Sequence, residues 1–330
     1  MDAWQVRRHG SPGDALRRGV VDEPVPGPGE LRLRVRCAAI GLPDALMCRG
    51  TYPFAPALPF VPGQEVCGTV DAVGPGVTVE PGARLMAVTN FFDGRGGFAE
   101  VTLARAESAF RVPDAMGDEE AAAFRIGYST AYIGLVRRGA LQTGERLLVL
   151  GAAGGSGLAA LQLGVALGAR VFAVVAGSEK RELCASLGAH VVVDRTDGPV
   201  ADAVLDATGG DGVDVIYDPV GGEFAGSLVR CLARDGRLLA VGFASGKWVA
   251  PDMADVVLRN ASVVGVYAGG QTRPEAEADH EHLLRLAADG ALGRAVRTVS
   301  FDRLPDALDA VDRAASVGKV VVQVAGRVTP

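Results

Sequence analysis

The chain has 330 residues, of which 48% are hydrophobic and 22% charged, with a formal net charge of -6. This length exceeds that of one compact core and predicts two domains, while the composition excludes wholesale disorder. The mild charge and the lack of a Lys/Arg block argue against a nucleic-acid or lipid surface. No apolar run reaches the roughly 18 residues of a membrane-spanning helix, and the charged N-terminus does not resemble a signal peptide. The five scattered cysteines form no CxxC pair, which predicts free thiols in a reducing cytoplasm.

The first third of the chain is predicted to be turn-rich β structure. A strand is expected at 31–37, where apolar residues alternate with arginines. Further short strands are expected at 66–73, broken by Gly68, and at 98–103. Proline- and glycine-rich segments separate them, such as Pro24-Val-Pro-Gly-Pro-Gly-Glu30. Short strands punctuated this often favour a barrel or a sandwich.

The spacing of apolar residues changes near Asp118 from that of strands to that of helices. Asp118 is the expected N-cap of a helix over 118–137. Apolar strands then alternate with helices, a pattern typical of a parallel sheet covered on both faces. The predicted strands are 147–150, 171–175, 191–193, 213–217, 238–241 and 262–267, and the predicted helices are 156–167, 179–187, 199–208 and 224–233. Two amphipathic helices (275–289 and 304–315) and a strand (320–324) end the chain and are compatible with a return to the first domain.

A glycine-rich segment joins the first parallel strand to the following helix. It reads Gly151-Ala-Ala-Gly-Gly-Ser-Gly157. A side chain at 152 or 154 is expected to block the tight turn or the approach to a pyrophosphate, and one at Gly157 to keep the helix off the strand. The first of these positions is Ala152, yet the strand–turn–helix context still predicts a dinucleotide site at the helix N-terminus. The expected contacts are Ala153, Gly154, Gly155, Ser156 and Gly157.

The end of the second parallel strand predicts which dinucleotide binds. An NAD site places Asp or Glu there for the ribose 2′-hydroxyl, but the segment 173–178 holds no carboxylate. Ser178, Lys180 and Arg181 follow instead, and Arg195 comes after the third strand. A hydroxyl and cations suit a 2′-phosphate, so NADPH is predicted over NADH. The alternative is that Ser178 is an N-cap and that the cations are a solvated first helical turn.

Several ordered motifs resemble the medium-chain dehydrogenase/reductase superfamily, and specifically its zinc-free quinone oxidoreductase branch. They are the turn at 151–157, Val61-Pro-Gly-Gln-Glu-Val-Cys-Gly68, Ala121-Ala-Ala-Phe-Arg-Ile-Gly-Tyr-Ser-Thr-Ala-Tyr132, Asp218-Pro-Val-Gly-Gly222, Val241-Gly-Phe-Ala-Ser-Gly246 and Val264-Gly-Val-Tyr267. The resemblance implies an α/β fold with a Rossmann doubly wound parallel sheet (120–267), a discontinuous GroES-like β-rich domain (1–119 and 268–330) and an active site in the cleft between them. It also implies a homodimer that pairs through the edge strand 262–267.

The resemblance further implies positions for individual residues. Gly177, Thr130, Val220, Gly242 and Phe243 are expected at the cofactor. Gly41, Asp44, Tyr52, Tyr128 and Tyr267 are expected at a small-molecule substrate, with Tyr267 serving the dimer strand as the alternative. Lys319, in a segment typical of the end of the family, is either a cofactor contact or a charge at a strand edge.

Zinc-dependent relatives hold the metal through residues that this chain lacks. Gly41 stands where they have a cysteine, Gln64 stands where they have the histidine before Glu65, and their cysteine near 125 is absent. Converging thiolate, imidazole or carboxylate ligands are required for zinc. The sequence therefore predicts no metal, and activated acceptors such as quinones or α,β-unsaturated carbonyls as substrates.

Tyr52 is the candidate proton donor, since tyrosine in a similar Gly-x-Tyr-Pro segment lies near the nicotinamide in related reductases. The alternative is that Tyr52 only forms a pocket wall. Gly41 replaces an asparagine common in this branch and Arg125 a proline, which suggests a pocket reshaped for a dedicated substrate. Two other functions stay open: an enoyl-type reductase of a biosynthetic, thioester-linked substrate, and a catalytically silent NADPH-binding structural or sensor protein.

Overall fold

The computed structural model describes residues 1–324. Its strands are β1 (Asp2–Val6), β2 (Leu16–Val20), β3 (Glu30–Ala39), β4 (Glu65–Val73), β5 (Arg84–Thr89), β6 (Val101–Arg111), β7 (Arg146–Leu150), β8 (Arg170–Val175), β9 (Val191–Asp194), β10 (Val213–Asp218), β11 (Leu232–Ala240), β12 (Ser262–Gly265), β13 (Val296–Ser300) and β14 (Lys319–Gln323). Its α-helices are α1 (Pro12–Ala15), α2 (Leu42–Arg49), α3 (Asp118–Ala122), α4 (Arg125–Tyr132), α5 (Gly155–Ala166), α6 (Ser178–Ser186), α7 (Val200–Ala207), α8 (Gly222–Ser227), α9 (Met253–Leu258), α10 (Arg273–Ala288) and α11 (Leu304–Asp312).

Contacts divide the chain into two compact units. The first comprises Met1–Ile126 and the chain from Ala295 onward, and the second comprises Gly127–Arg294. The predicted bounds assigned 268–294 to the first unit and 120–126 to the second, whereas the structure groups each with the other unit. For 268–294 the reason is that α10 is tied to the end of α4 and the residues after it: Asp279 pairs with Arg137 at 2.7 Å, and His282 bonds the Tyr132 hydroxyl at 2.9 Å.

The first unit is built on a six-stranded sheet in the order β13-β14-β3-β4-β5-β6, in which β3 also pairs with β6. This second pairing closes β3 to β6 on themselves, and it removes the open edges that four separate strands would leave. The inward positions are apolar, as in β3, where Leu31, Leu33 and Val35 are buried between exposed or half-buried arginines. The strand β14 arrives from the far end of the chain and pairs with β3 in antiparallel fashion.

The second unit is a parallel sheet of six strands in the order β12-β11-β10-β7-β8-β9. Its central strands β7, β8 and β10 are almost wholly buried. Continuous apolar strands need helices on both faces, and this need explains the βα alternation of the sequence. The carboxyl ends of these strands meet at one edge of the sheet, where a doubly wound fold binds its ligand.

Several predicted elements differ in detail from the observed ones. Asp118 is the first residue of α3 and not its N-cap, which is Gly117, and the Asp118 carboxylate pairs with Arg36 and Arg84. The predicted helix 118–137 is interrupted after α3 and ends in a π-helical stretch, Ile133–Arg138. The edge strand β12 stops at Gly265, two residues short of the predicted end.

Two further observations concern the chain as a whole. All five cysteines are buried and none forms a disulfide; burial raises the pKa of the Cys37 thiol to about 12. Among residues 1–324, no helix combines the length and the apolar composition needed to cross a membrane.

Candidate functional site

The glycine-rich turn lies between β7 and α5. Gly151 has a φ of 59°, a left-handed value that favours glycine. The Gly154 N–H closes the turn on the Gly151 carbonyl at 2.9 Å, and Gly154 caps α5. A Cβ at Gly157 would lie 2.3 Å from the Gly151 carbonyl oxygen, so only glycine lets α5 start this close to the turn. The turn thus presents the N-terminus of a buried helix, which is an anion-binding geometry.

Alanine is accommodated in this turn, contrary to the expectation that a side chain at 152 blocks it. Ala152 and Ala153 are buried, and the Ala152 N–H bonds the carbonyl of Val174 in β8. The methyl group at 152 therefore points into the protein. The backbone conformation that excludes a side chain belongs to Gly151.

Ser156 has a partner that the sequence did not reveal. Its hydroxyl lies 3.0 Å from the hydroxyl of Tyr217, a fully buried residue at the end of β10. Desolvation raises the pKa of Tyr217, which therefore stays neutral. Tyr217 ties the first turn of α5 to the neighbouring strand, and only the strand order β10-β7-β8 reveals this role.

The loops after β10 and β11 reach the same edge of the sheet. The Asp218 carboxylate accepts the N–H groups of Val220 and Gly221, both at 2.8 Å. A Cβ at Gly151 would lie 3.5 Å from the Val220 side chain, so this loop borders the glycine-rich turn. Gly242 and Phe243 follow β11, and the Phe243 ring lies 4.8 Å from the Trp248 ring. The structure thus collects these predicted cofactor contacts at one edge.

The residues after β8 and β9 form the opposite end of that edge. Gly177 has a φ of 96° and caps α6, so Ser178 is the first helical residue and not the cap. Lys180 is partly buried; burial, followed by the charge of Arg195, lowers the pKa of its ammonium group. The two cations therefore lie close enough to repel one another, and a bound anion would reduce this repulsion. Arg181 differs from both, because it pairs with Asp197 at 2.6 Å.

Asp194, which is not among the predicted cofactor contacts, lies beside Gly177. Asp194 ends β9, and its carboxylate accepts the N–H groups of Gly177 at 2.8 Å and Thr196 at 3.0 Å. A further bond comes from the Thr196 hydroxyl at 2.7 Å. The bonds from Thr196 and Gly177 hold the pKa of Asp194 at about 2. This carboxylate is buried and engaged by the backbone, unlike one that binds a ribose hydroxyl.

In the first unit, three predicted or neighbouring polar residues form a buried cluster. Asp44 accepts the N–H groups of Gly41 at 2.9 Å and Gly63 at 3.0 Å. Glu65 pairs with the Lys319 ammonium at 3.5 Å and accepts the N–H of Ile126 at 2.9 Å. Burial raises the pKa of Asp44 to about 7, partly offset by the two backbone bonds and by Lys319. Lys319 is thus a partly buried ion-pair partner of Glu65 at the start of β14.

This donor set does not fit a zinc ion. Position 41 is a glycine and position 64 a carboxamide, so neither supplies a thiolate or an imidazole. Of positions 41, 64 and 65, Glu65 has ligand chemistry, and its carboxylate is already paired with Lys319. In the part of the chain that the structure describes, no three His, Cys, Asp or Glu side chains converge as a metal site would require.

Tyr52 belongs to a strip of aromatic rings on the first unit. We define this aromatic strip as Tyr52, Phe54, Phe91 and Phe92. The Tyr52 and Phe54 rings are 5.9 Å apart edge to face, as are those of Phe54 and Phe92. Phe54 and Phe92 are each more than half exposed. Such a surface suits a flat apolar ligand, because exposed rings offer both area and edge-to-face partners.

The remaining predicted residues are more dispersed. Tyr128 is buried in α4, and its hydroxyl oxygen accepts the Gly293 N–H at 2.8 Å, which gives this hydroxyl a structural partner. Thr130 lies half-buried in the same helix. Tyr267 follows β12 and is 73% exposed, in keeping with a surface role.

Comparisons with known proteins agree with this architecture. Residues 27–114 match the family model described as alcohol dehydrogenase GroES-like domain, and residues 155–287 match zinc-binding dehydrogenase. The chain is 33% identical over 303 residues to a quinone oxidoreductase-like protein 2 homolog of Nematostella vectensis, covering 90% of this chain and 82% of that protein. It is 28% identical over 276 residues to the human quinone oxidoreductase, covering 83% and 82% of the two chains.

Solved structures agree as well. The mycobacterial protein Rv1454c, whose structure was determined in complex with NADPH, aligns with a TM-score of 0.90 and 31% identity, covering 98% of this chain and all of that one. A quinone oxidoreductase of Pseudomonas syringae aligns with a TM-score of 0.88 and 26% identity, covering 98% and 99%. With a GroES-like unit, a Rossmann unit and relatives along nearly its whole length, the chain belongs to the medium-chain dehydrogenase/reductase superfamily, among proteins related to quinone oxidoreductases.

Proposed function

We propose that this protein is a zinc-independent, NADPH-dependent reductase of quinones or α,β-unsaturated carbonyl compounds. The observation that carries the proposal is the carboxyl edge of the parallel sheet. The glycine-rich turn in the middle of that edge, after β7, suits a pyrophosphate, and the Lys180–Arg195 pair after β8 and β9 suits a 2′-phosphate. The similarity to quinone oxidoreductases supports the choice of acceptor.

The fit of the cofactor rests on this chain's own geometry. The N-terminus of α5 donates N–H groups to phosphate oxygens, and Gly157 keeps that helix close enough to do so. Val220, Gly242 and Phe243 border the same edge and are proposed to hold the remainder of the molecule. When bound, NADPH supplies a hydride to an acceptor that is already polarised by its own carbonyl group.

The protein's contribution to the chemistry is proposed to be orientation and proton supply. The aromatic strip orients a flat acceptor by stacking, and Tyr52 donates a proton to the reduced product. Enone reduction needs a proton on carbon, where a placed acid helps most. A reduced quinone takes its protons on oxygen, which water supplies readily.

Replacing Tyr52 tests this assignment. In Tyr52→Phe we expect kcat for enones to fall by about tenfold or more, as for loss of a general acid partly replaced by water. Quinone turnover stays within about twofold. Steady-state oxidation of NADPH, followed by absorbance with a quinone and an enone panel, measures both. Tyr132→Phe is the control, since its hydroxyl bonds His282.

Three outcomes of the same panel separate the alternatives. If Tyr52→Phe lowered kcat equally for enones and quinones, Tyr52 would only form a wall of the pocket and would not donate a proton. Turnover of thioester-linked enoyl compounds alone would favour the enoyl reductase. Tight NADPH binding with no acceptor reduced would favour the structural or sensor protein.

We also propose that the protein is a homodimer formed through β12. This strand is the edge of the parallel sheet, where an unpaired backbone invites another strand. Exposed apolar side chains occur in β12 itself, with Val263 at 45%, and in the chain on either side of it, with Leu258 at 84% and Tyr267 at 73% exposure. Large exposed apolar side chains grouped in this way are typical of an interface.

The variant Val263→Lys tests the dimer. A lysine in the middle of β12 places a charge at the proposed interface, so we expect the dimer to become a monomer while NADPH affinity stays within about twofold. Light scattering coupled to size-exclusion chromatography measures the mass. Val20→Lys, at a position 84% exposed in the first unit, is the matched control. A wild-type protein that is monomeric at micromolar concentration would contradict the proposal.

A further inference from the structure

Gln64, the residue before β4, has a buried side-chain amide group. Its side chain is only 8% exposed, and its Nε2 atom has no hydrogen-bond partner among residues 1–324. Burying an amide N–H without an acceptor is unfavourable, and native proteins rarely leave one so. An acceptor that arrives with a ligand would remove this cost.

The backbone around Gln64 is held in place. The Gly63 N–H bonds Asp44, and the Gly63 carbonyl accepts both the Thr89 hydroxyl at 2.7 Å and the Gly97 N–H at 2.7 Å. Gly63 has a φ of 108°, and a Cβ there would lie 2.7 Å from the Phe98 nitrogen. The backbone from which the Gln64 side chain extends is therefore fixed, and only rotation about its own side-chain bonds sets where the amide points. A donor that starts from a fixed backbone needs little reorganisation to meet a ligand.

The charges beside Gln64 restrict the ligand. Glu65 is paired with Lys319, and the buried Asp44 experiences both charges. Burial, followed by the charge of Asp44, raises the pKa of the Cys48 thiol. An incoming carboxylate would meet two buried acids, and a cation cannot accept a hydrogen bond from an amide. The matching chemistry is a neutral carbonyl oxygen, on which negative charge grows as the compound is reduced.

We propose that the Gln64 carboxamide donates a hydrogen bond to the carbonyl oxygen of the acceptor and stabilises the charge that develops there. The inference rests on the reductase function proposed above. In the step concerned, the hydride forms a C–H bond to the acceptor, the π electrons move towards the carbonyl oxygen, and NADPH becomes NADP⁺. The resulting oxyanion or its carbon then takes one proton from water or from Tyr52, which completes the two-electron reduction.

The test compares the same substitution at two buried glutamines. Gln64→Met removes the donor and keeps the side-chain length. We expect kcat/KM for enones and quinones to fall by about 10–100-fold, the NADPH Kd to stay within about twofold and Tm to be unchanged or higher. Gln162→Met is the control, because that buried amide bonds the Leu158 and Arg294 carbonyls and the Arg294 N–H. There we expect Tm to fall by a few degrees, with kcat/KM unchanged.

Each outcome has one meaning. A lower Tm in Gln64→Met with unchanged kcat/KM would overturn the inference, since the amide would then be structural. Unchanged kcat/KM with unchanged Tm would overturn it too. If the wild-type protein bound NADPH but reduced no acceptor, the proposed function would fail by itself, which the wild-type assay reveals before any variant is made. A carbonyl inhibitor that binds wild type at least about tenfold more tightly than Gln64→Met gives a second readout without turnover.

Discussion

Gly157→Ala is expected to abolish useful NADPH binding, with Kd raised by about 100-fold or more. The new methyl group would meet the Gly151 carbonyl oxygen at 2.3 Å and the Ala152 Cα at 2.9 Å. Both are backbone atoms of the turn itself, so relief requires α5 to move away from β7. That movement withdraws the helix N-terminus from the phosphates, and overpacking of this kind costs roughly 1–3 kcal/mol of stability as well.

Calorimetric titration with NADPH and a thermal melt measure the two effects of this substitution. The matched control is Gly127→Ala, because a Cβ there would lie 3.4 Å from the Ala159 methyl group, close to ordinary contact. We expect the control to bind NADPH with an affinity within about threefold of wild type. Near-normal NADPH affinity in Gly157→Ala would show that the cofactor does not approach this helix.

Lys180→Ala and Arg195→Ala are expected to remove the preference for NADPH over NADH. A charge-assisted hydrogen bond contributes roughly 1.5–3 kcal/mol, so each variant raises the Kd for NADPH by about 10–100-fold, and the double variant by more. The Kd for NADH stays within about twofold, since NADH has no 2′-phosphate. Arg181→Ala is the control, because that guanidinium already pairs with Asp197.

The same pair predicts a pH dependence with a definite sign. Burial and Arg195 lower the pKa of Lys180 in the free protein, and a bound phosphate raises it again. NADPH binding therefore takes up a proton once pH exceeds the lowered pKa, and affinity falls above it. This fall should disappear in Lys180→Ala. Equal losses of NADPH and NADH affinity in Lys180→Ala would instead place Lys180 away from the 2′-phosphate.

The Rossmann unit was largely predictable from the sequence because its strands are local apolar runs. Each of β7, β8 and β10 is buried on both faces, so most of its residues are apolar whichever face they point to. The glycine-rich turn was equally predictable, because the residues that form it are the seven consecutive positions 151–157. Its partner Tyr217 was not, because that contact depends on which distant strand lies next to β7.

The first unit was less predictable because its structure depends on distant partners. The strand β13 has a half-exposed, mixed sequence and exists because it pairs with β14. The predicted helix 118–137 is interrupted where Glu65, more than fifty residues away, accepts the Ile126 N–H. The surroundings of the predicted site residues depend on distant partners as well. Asp44 is predicted as a substrate contact, and in the structure its side chain is buried and both of its oxygens accept backbone N–H groups, one of them from Gly63.

The return of the chain to its first unit has a consequence for synthesis on the ribosome. The Gly127–Arg294 unit is continuous, so it has all of its strands as soon as it emerges. The first unit lacks β13 and β14 until the last part of the chain is made, and meanwhile the end of β3, at Cys37–Ala39, has no partner strand on one side. A nascent chain stalled before Ala295 would thus carry a finished nucleotide-binding unit beside an open sheet edge, a state that chaperones would have to protect.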